Sequence, residues 1–496
     1  MSSENLAVAP IKYLRIDRAQ FKLRTLDIEG LIAADHPARV IWEIAGTLDL
    51  TAFEQKHKSR QGHAGRACWS PQLLVSVWIY AYSIGTPSAR AIERLMAQEP
   101  GMRWLSGDEV INYHTLADFR VGYGDALQEL FAQMLVLLDS EGVVDLGTIL
   151  HDGTKVRALA GRSSYHRRKT LEKRMRQARR AVKELDRRAE QEGEGVDARR
   201  AAAQQRAATE RVQRMQSVMK QLKKLEAGAS PSRRGEVRVS QTEPEARKMK
   251  HADGSFALSY NVQVSTEAKS GMIVAIGGTT AANDIAELMP ALERVEQNCG
   301  QLPERVIADT GYVTREVVEQ TTQQGIELIA PWKDEQSREA GGCKTNGIDS
   351  EFASSKFEQQ ADGQSLICPT GKVLVQIREY TKEGVAKRVF AAQQSDCSQC
   401  AFQPRCCGPR NKYRQVERVI ESAAMQQYLA RMKRRSVQTL YKKRSQIAEF
   451  PHMWAKAMKK WTRFSVRGLA KAGLEVLWVA LAYNVTQWIA VRRAAA

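Results

Sequence analysis

The chain has 496 residues, long enough for roughly two to four domains. Its 75 Lys and Arg against 56 Asp and Glu give a formal charge of +19. That surplus favours a polyanionic partner, because neutralising phosphates releases counterions; the alternative is a basic enzyme indifferent to nucleic acid. Met1 to Pro10 is polar and lacks the apolar core of a signal peptide, so a cytoplasmic location is expected. There, eight cysteines read as thiols or metal ligands rather than disulfides.

Residues 1–140 read as a helical N-terminal domain. Asp35-His36-Pro37-Ala38 caps an amphipathic run through Val40, Ile41 and Ile44 that ends near Gly46. Ser70 is the expected N-cap of a second helix, with Pro71 at its first position, an apolar face of Leu73, Leu74, Val77, Trp78 and Tyr82, and Gly85 as its stop. Ser88 opens a third, and Tyr113–Arg120 begins a fourth that continues through Leu138. Short helices joined by Gly and Pro turns suit a helix-turn-helix-like DNA-binding module and equally a plain bundle; the net charge favours DNA.

Residues 141–165 contain an apolar run, 143–151, expected to be a buried strand that delivers Asp152 into a Gly153-Thr154-Lys155 turn. An insertion over 166–250 follows. Its first part, 166–226, holds 19 Lys and Arg against 9 Asp and Glu. Leu171, Met175, Ala178, Val182, Leu185 and Ala189, then Ala208, Val212, Met215, Met219 and Leu222, recur at helical spacing. They predict an antiparallel helical hairpin turned at Gly193-Glu194-Gly195. Its charge suits a DNA backbone, and nothing in it reads bases.

Over 251–334 the pattern becomes mixed. Phe256 to Val264 alternates as a strand should, a turn at Lys269-Ser270-Gly271 leads to a second strand at Met272–Ile276, and Asn283 or Asp284 is the expected cap of a helix ending at Gly300. Val306-Ile307-Ala308 ends on Asp309; a tight Thr310-Gly311-Tyr312 turn, a helix from Thr314 to Gly325 and a strand to Ala330 follow. Without residues 160–250 the order is β–β–β–α–β–α–β, with one acid after the first strand and another after the fourth. Open α/β sheets place their chemistry at such strand ends. The order resembles the RNase H-like fold of two-metal nucleases and transposases.

Residues 335–415 are polar, with strand character at Val373–Ile377 and Arg388–Phe390. Cys368, Cys397-x-x-Cys400 and Cys406 suit a tetrahedral structural zinc, with free thiols as the alternative; four thiolates would leave no open position for catalysis. The tail, 416–496, is helical and basic. Ala472–Ala490 comes nearest to a membrane span, but Glu475, Asn484 and Gln487 and its helical spacing read as a core helix.

Two carboxylates at neighbouring strand ends can share divalent ions roughly 3.5–4 Å apart, and a third acid normally completes such a site. Glu449 is the expected third, with Lys456 two helical turns on and Arg444 five residues before as phosphate ligands. Glu417 and Glu421 are rivals on an expected earlier helix, and Pro451 would put Glu449 near a helix start.

At this point the residues resemble bacterial insertion-sequence transposases of the DDE class, and most closely the IS-eleven-eighty-two group of the wider IS-five superfamily. Ser70–Arg120 looks like that group's N-terminal domain, His151-Asp152-Gly153-Thr154-Lys155 like its first-Asp motif and Ala308-Asp309-Thr310-Gly311-Tyr312 like its second. Tyr260-Asn261-Val262-Gln263 and Asn283-Asp284 match core landmarks. Tyr441-x-x-Arg444, Glu449 and Lys456 are similar to a Tyr-Arg-Glu-Lys signature, with Arg467-Gly468-Leu469 and Ala482-Tyr483-Asn484 following as in the group. After Pro451 this chain has His452-Met453 where the group has Phe-Gly.

The resemblance implies an α/β fold: an RNase H-like core with an α-helical N-terminal domain, a basic helical hairpin insertion and a Cys-containing insertion. It further implies Asp152, Asp309 and Glu449 as catalytic ligands of two Mg²⁺ or Mn²⁺ ions, and Lys155, Arg444 and Lys456 as DNA contacts. The expected partners are the double-stranded DNA of terminal inverted repeats and target, bound by a homodimer near the nucleoid, without a membrane. A catalytically inactive DNA-binding protein derived from such an enzyme is the second reading.

Overall fold

The structure is a computed structural model and describes residues 25–55, 67–191, 198–332, 335–382 and 384–495. Its central sheet is built from β1 (Thr148–Arg157), β2 (Arg247–Lys250), β3 (Phe256–Glu267), β4 (Ile273–Thr279), β5 (Arg305–Ile307) and β6 (Glu327–Ile329). The order is β4-β3-β1-β5-β6, with β2 beside the first half of β3. β3 runs antiparallel to β1 and β4, whereas β1, β5 and β6 are mutually parallel. The parallel steps are crossed by α4 (Leu288–Cys299) and α5 (Arg315–Gln323), as parallel pairs require.

Strand parity sorts the two faces. Ile149, Val306 and Leu328 join the main core, while Leu150, Ile307 and Ile329 cluster with Val437 and Ala448. The second cluster sits beneath helix Arg435–Lys442 and α6 (Arg444–Met453). The main core also takes in the N-terminal helix α1 (Pro71–Ser83) and the last helix α7 (Leu469–Ala495), which packs on α1 and β4. By length and composition α7 could cross a membrane, but 72% of its most apolar window is buried inside the protein. Asn484 on α7 bonds both backbone groups of Ile273, accepting at 2.9 Å and donating at 2.8 Å.

α1 starts as expected: Ser70 Oγ accepts from Leu73 N–H at 3.2 Å and Pro71 leads the helix. The expected start at Asp35–Ala38 holds as well, with His36 as the cap of helix Pro37–Thr47. Further along the boundaries differ. The single helix expected from Tyr113 to Leu138 is two, Tyr113–Gly122 and Gly124–Ser140, separated by non-helical backbone at Tyr123. Helix Pro100–Ser106, capped by Glu99, was not anticipated.

The basic insertion forms α2 (Arg168–Gln191) and α3 (Ala198–Ala227), packed through Leu171, Met175, Met215, Val218 and Leu222. Arg168 meets Glu226 and Gln205 meets Asp186, so the pair is antiparallel; the expected turn at Gly193-Glu194-Gly195 lies outside the described residues. Strands Tyr165–Arg167 and Arg238–Ser240 pair at its base. A second sheet, Glu358–Gln359, Ser365–Ile367, Val373–Lys382, Val385–Ala392 and Gln415–Val419, carries the cysteines. Glu417, expected on a helix, is on the last of these strands.

Candidate active site

Asp152 does not end its strand. β1 continues through it to Arg157, with Gly153, Thr154 and Lys155 paired to Gln263, Val262 and Asn261. The expected turn is absent because β3 supplies a partner along this whole stretch, and Val143–Leu146 lies outside the strand. Gly153 is required by a close approach: a Cβ there would meet Gln263 Nε2 at 2.7 Å and Asp284 Oδ1 and Tyr312 OH at 2.8 Å each.

Asp309 follows β5 directly and caps a single turn, Thr310–Tyr312, its Oδ1 accepting from Gly311 N–H at 2.5 Å. Leu150 pairs in register with Ile307, so Asp152 and Asp309, each two residues further on, continue along neighbouring strands on the same face. The Asp309 charge is felt at Asp152. Burial raises the Asp152 carboxyl to about 6; Arg444 and the Gly153 N–H oppose that rise, and the Asp309 and Asp284 carboxylates add to it.

α6 lies over this face. Arg444 Nη1 is 3.7 Å from Asp152 Oδ1, and His452 Nε2 is 3.8 Å from Asp152 Oδ2. Both nitrogens are buried without a hydrogen-bond partner. Burial, then Lys456, His151 and Arg444, push the His452 ring down to about 3, so it is neutral. Pro451 is inside α6 rather than near a helix start, and the chain widens beyond it into a π-helical turn, Trp454–Met458. Lys456 on that turn donates to Thr154 Oγ1 and, at 2.8 Å, to the Lys155 carbonyl. Burial first, then Lys155 and Arg157, lower its pKa to about 8. Beyond the turn, Phe464 N–H bonds the Arg157 carbonyl at 2.9 Å, fastening this segment to the end of β1.

Asp152, Asp309, Arg444 and Lys456 thus come together where β1 passes the end of β5, while Lys155, on the other face of β1, directs its ammonium to Asp284. Glu449 is on α6, three residues from His452 and hence its neighbour on the helix surface, but its side chain is exposed. The two rivals are engaged elsewhere: Glu417 with Lys387 and Tyr380, and Glu421 with Arg315. Among the described residues no group of three or more His, Cys, Asp or Glu side chains is gathered closely enough to hold a metal ion.

Beneath β1, on the face opposite Asp152, is a polar network that sequence reasoning missed. Asn283 or Asp284 was expected to cap a helix, but α4 begins at Leu288 and Asp284 turns back to the sheet. It accepts from Asn261 Nδ2 at 2.6 Å and Gln263 Nε2 at 2.9 Å, and Lys155 Nζ lies 3.5 Å away. Since the Gln263 amide nitrogen faces Asp284, its oxygen accepts from Tyr312 OH at 2.7 Å and from His151 Nε2 at 2.9 Å. His151 is therefore protonated on Nε2 and accepts from Ser265 at Nδ1, in keeping with a pKa lowered to about 4 by burial. The paired signals were the alternating polar residues Asn261, Gln263 and Ser265 in an otherwise apolar strand.

The cysteines also converge. Cys368, Cys397, Cys400, Cys406 and Cys407 line a cavity of about 30 Å³. Lys372 N–H points at Cys368 Sγ at 3.2 Å across a turn with Gly371 at φ +85°, and all five thiols are free. Burial raises the Cys406 thiol to about 11, and its sulfur neighbours Cys397, Cys368 and Cys400 add to that rise.

Residues 26–121 match the family described as Transposase domain (DUF772), and residues 367–489 match the Transposase DDE domain. The second match takes in the last three strands of the cysteine sheet, Glu449, Lys456 and most of α7, and excludes Asp152 and Asp309. No curated protein and no solved structure matches the chain. The mixed α/β architecture with its helical N-terminal region is consistent with a DDE transposase. Together the two family matches support an insertion-sequence DDE transposase.

Proposed function

We propose that the protein is a transposase of the IS-eleven-eighty-two type that binds its element's terminal inverted repeats, cleaves DNA at their ends and joins the freed 3′-hydroxyls to target DNA. The observation that carries this reading is the register of two adjacent parallel strands, which sets Asp152 and Asp309 each two residues beyond the paired Leu150 and Ile307. The order β4-β3-β1-β5-β6, with β3 antiparallel, also agrees with an RNase H-like core.

The acid pair suits Mg²⁺ or Mn²⁺: its donors are carboxylate oxygens, and burial, with the Asp309 charge adding to it, raises the Asp152 carboxyl. Asp152 and Asp309 would hold the ions, with Glu449 supplied from α6 as the third carboxylate, an arrangement not gathered in the present geometry. Bound there, the ions would activate the attacking oxygen and stabilise the departing one. The chain itself holds the DNA: Lys456 places its ammonium beside Thr154, Arg444 adds a guanidinium next to Asp152, and Lys155, whose ammonium lies near Asp284, is a further phosphate ligand. Water displaces the 3′-oxygen at the scissile phosphorus, and the released 3′-hydroxyl then displaces a 3′-oxygen in the target strand. Two copies of the chain would bring two ends together.

A structural zinc on Cys368, Cys397, Cys400 and Cys406 is proposed on the soft donor set and on the Lys372 N–H, which favours a thiolate at Cys368. The transposase reading is tested with the purified chain, Mg²⁺ or Mn²⁺, and DNA carrying the termini that flank its coding sequence. Nicked ends and joined products are expected from wild type and not from Asp309→Asn. No cleavage by wild type, or equal cleavage by the variant, would overturn it in favour of a DNA-binding protein without chemistry.

A further inference from the structure

At the base of the helical hairpin, next to the far end of β3, is an open pocket of about 490 Å³. One wall is the pairing of Tyr165–Arg167 with Arg238–Ser240, in which Arg167 stands directly opposite Arg238. Like charges in directly opposed positions repel. Both arginines are exposed, and among the described residues neither makes an ion pair with a carboxylate. Two guanidiniums on neighbouring strands can share one anion, since each matches phosphate oxygens in a planar fork.

Arg162 and Lys248 add two further cations, against Glu236 as the one lining acid. Phe256, the first residue of β3, is 45% exposed, with Lys248 Nζ 5.0 Å from its ring centroid. A duplex would satisfy the cations but offers no free base face to this ring. An unpaired nucleotide offers both, and aromatic rings in basic grooves bind single strands by stacking. Phe256 precedes Val264, the partner of Asp152, by eight residues of continuous strand, a span of roughly 26 Å.

We propose that this pocket binds an unpaired nucleotide of the DNA whose scissile phosphate lies at Asp152 and Asp309, its phosphate between Arg167 and Arg238 and its base against Phe256. The assignment of the ligand to DNA rests on the transposase reading.

The test is fluorescence anisotropy of the full chain on a blunt duplex and on the same duplex with a single-stranded thymidine extension. Wild type should prefer the extended DNA. Phe256→Ala should weaken that complex by about fivefold to a hundredfold, the loss of one base stack, and change blunt-duplex binding by less than about twofold. Phe256→Trp should retain the preference, which guards against a folding defect. Arg167→Ala with Arg238→Ala should weaken extended-DNA binding and flatten its salt dependence. No preference in wild type, or an unchanged preference in Phe256→Ala, would overturn the pocket. So would competition by thymidine 5′-monophosphate at equal nucleotide concentration, which would place a free nucleotide there. Asp309→Asn should keep the preference. Phe256-dependent binding in a wild type that never cleaves would sink the transposase reading and leave the pocket standing.

Discussion

His452 Nε2 lies 3.8 Å from Asp152 Oδ2, a buried ring nitrogen facing a carboxylate without a hydrogen bond between them. Its neutral ring is a desolvated polar group, and leaving such a group unsatisfied costs about 1–3 kcal/mol. His452→Phe, which installs the residue expected of the resembling group, should raise stability by about 1 kcal/mol in thermal denaturation and leave cleavage within about threefold. A collapse of cleavage in a well-folded variant would mean that the imidazole acts on Asp152.

The two faces of β1 assign different roles to its neighbouring acids. Asp152→Asn and Asp309→Asn should each lower cleavage by at least about 10³-fold while DNA binding persists. Glu449→Gln should do the same with an unchanged melting temperature, because the side chain is exposed. Asp284→Asn should instead destabilise the protein by about 1–3 kcal/mol, since it turns a carboxylate that accepts from Asn261 and Gln263 into an amide. Full cleavage by Glu449→Gln would remove Glu449 from the site.

Gly153 admits no side chain without displacing Gln263, Asp284 or Tyr312. Gly153→Ala should cost about 1–3 kcal/mol, the usual penalty of overpacking, and should also slow cleavage by shifting β1 beneath Asp152. The two effects are separable by measuring melting temperature and initial cleavage rate on one preparation; an unperturbed value for both would contradict the close approach.

Metal analysis of the purified chain should find about one zinc per molecule. Cys400→Ser, or a chelator, should then lower the melting temperature of the cysteine sheet and increase its susceptibility to proteolysis. Wild-type protein free of zinc and unaffected by chelation would establish free thiols.

Glu475 on α7 is buried and accepts from Trp461 Nε1 at 3.0 Å and from the Ser465 backbone N–H at 3.0 Å and hydroxyl at 2.9 Å. Burial nevertheless raises its pKa above 4.5, against the opposing pull of Arg120 and those donors. A carboxyl raised on folding binds its proton more tightly in the folded state. Its contribution is therefore complete below pH 4.5 and declines as pH rises through the folded value. Melting temperature followed upward from pH 4.5 should show this decline in wild type and a flatter profile in Glu475→Gln.

The alternation of Phe256–Val264, the Ser70-Pro71 start and the strand before Asp309 were legible because each depends on local periodicity or capping. Asp152 was legible as an acid on a strand but not as a mid-strand residue, because Asp-Gly reads locally as a turn until a partner strand, more than a hundred residues away, pairs with it. Asp284 was misread for the same reason: its ligands, Asn261 and Gln263, lie on a strand two elements earlier. Pro451 suggested a helix start because proline is tolerated there, whereas burial of Trp454 and Ala455 holds the helix together past it. Glu417 was placed on a helix although its neighbours Val416 and Val419 fit a strand edge equally well.

The packing of α7 against α1 and β4 sets an order of assembly during translation. Trp478 on α7 touches Trp78 and Phe119 near the beginning of the chain, and its indole bonds the Arg120 carbonyl. A nascent chain therefore exposes the apolar side of its sheet until residues near 489 have left the ribosome. Only the released polypeptide can bury that face, so an unfinished copy lacks a complete main core.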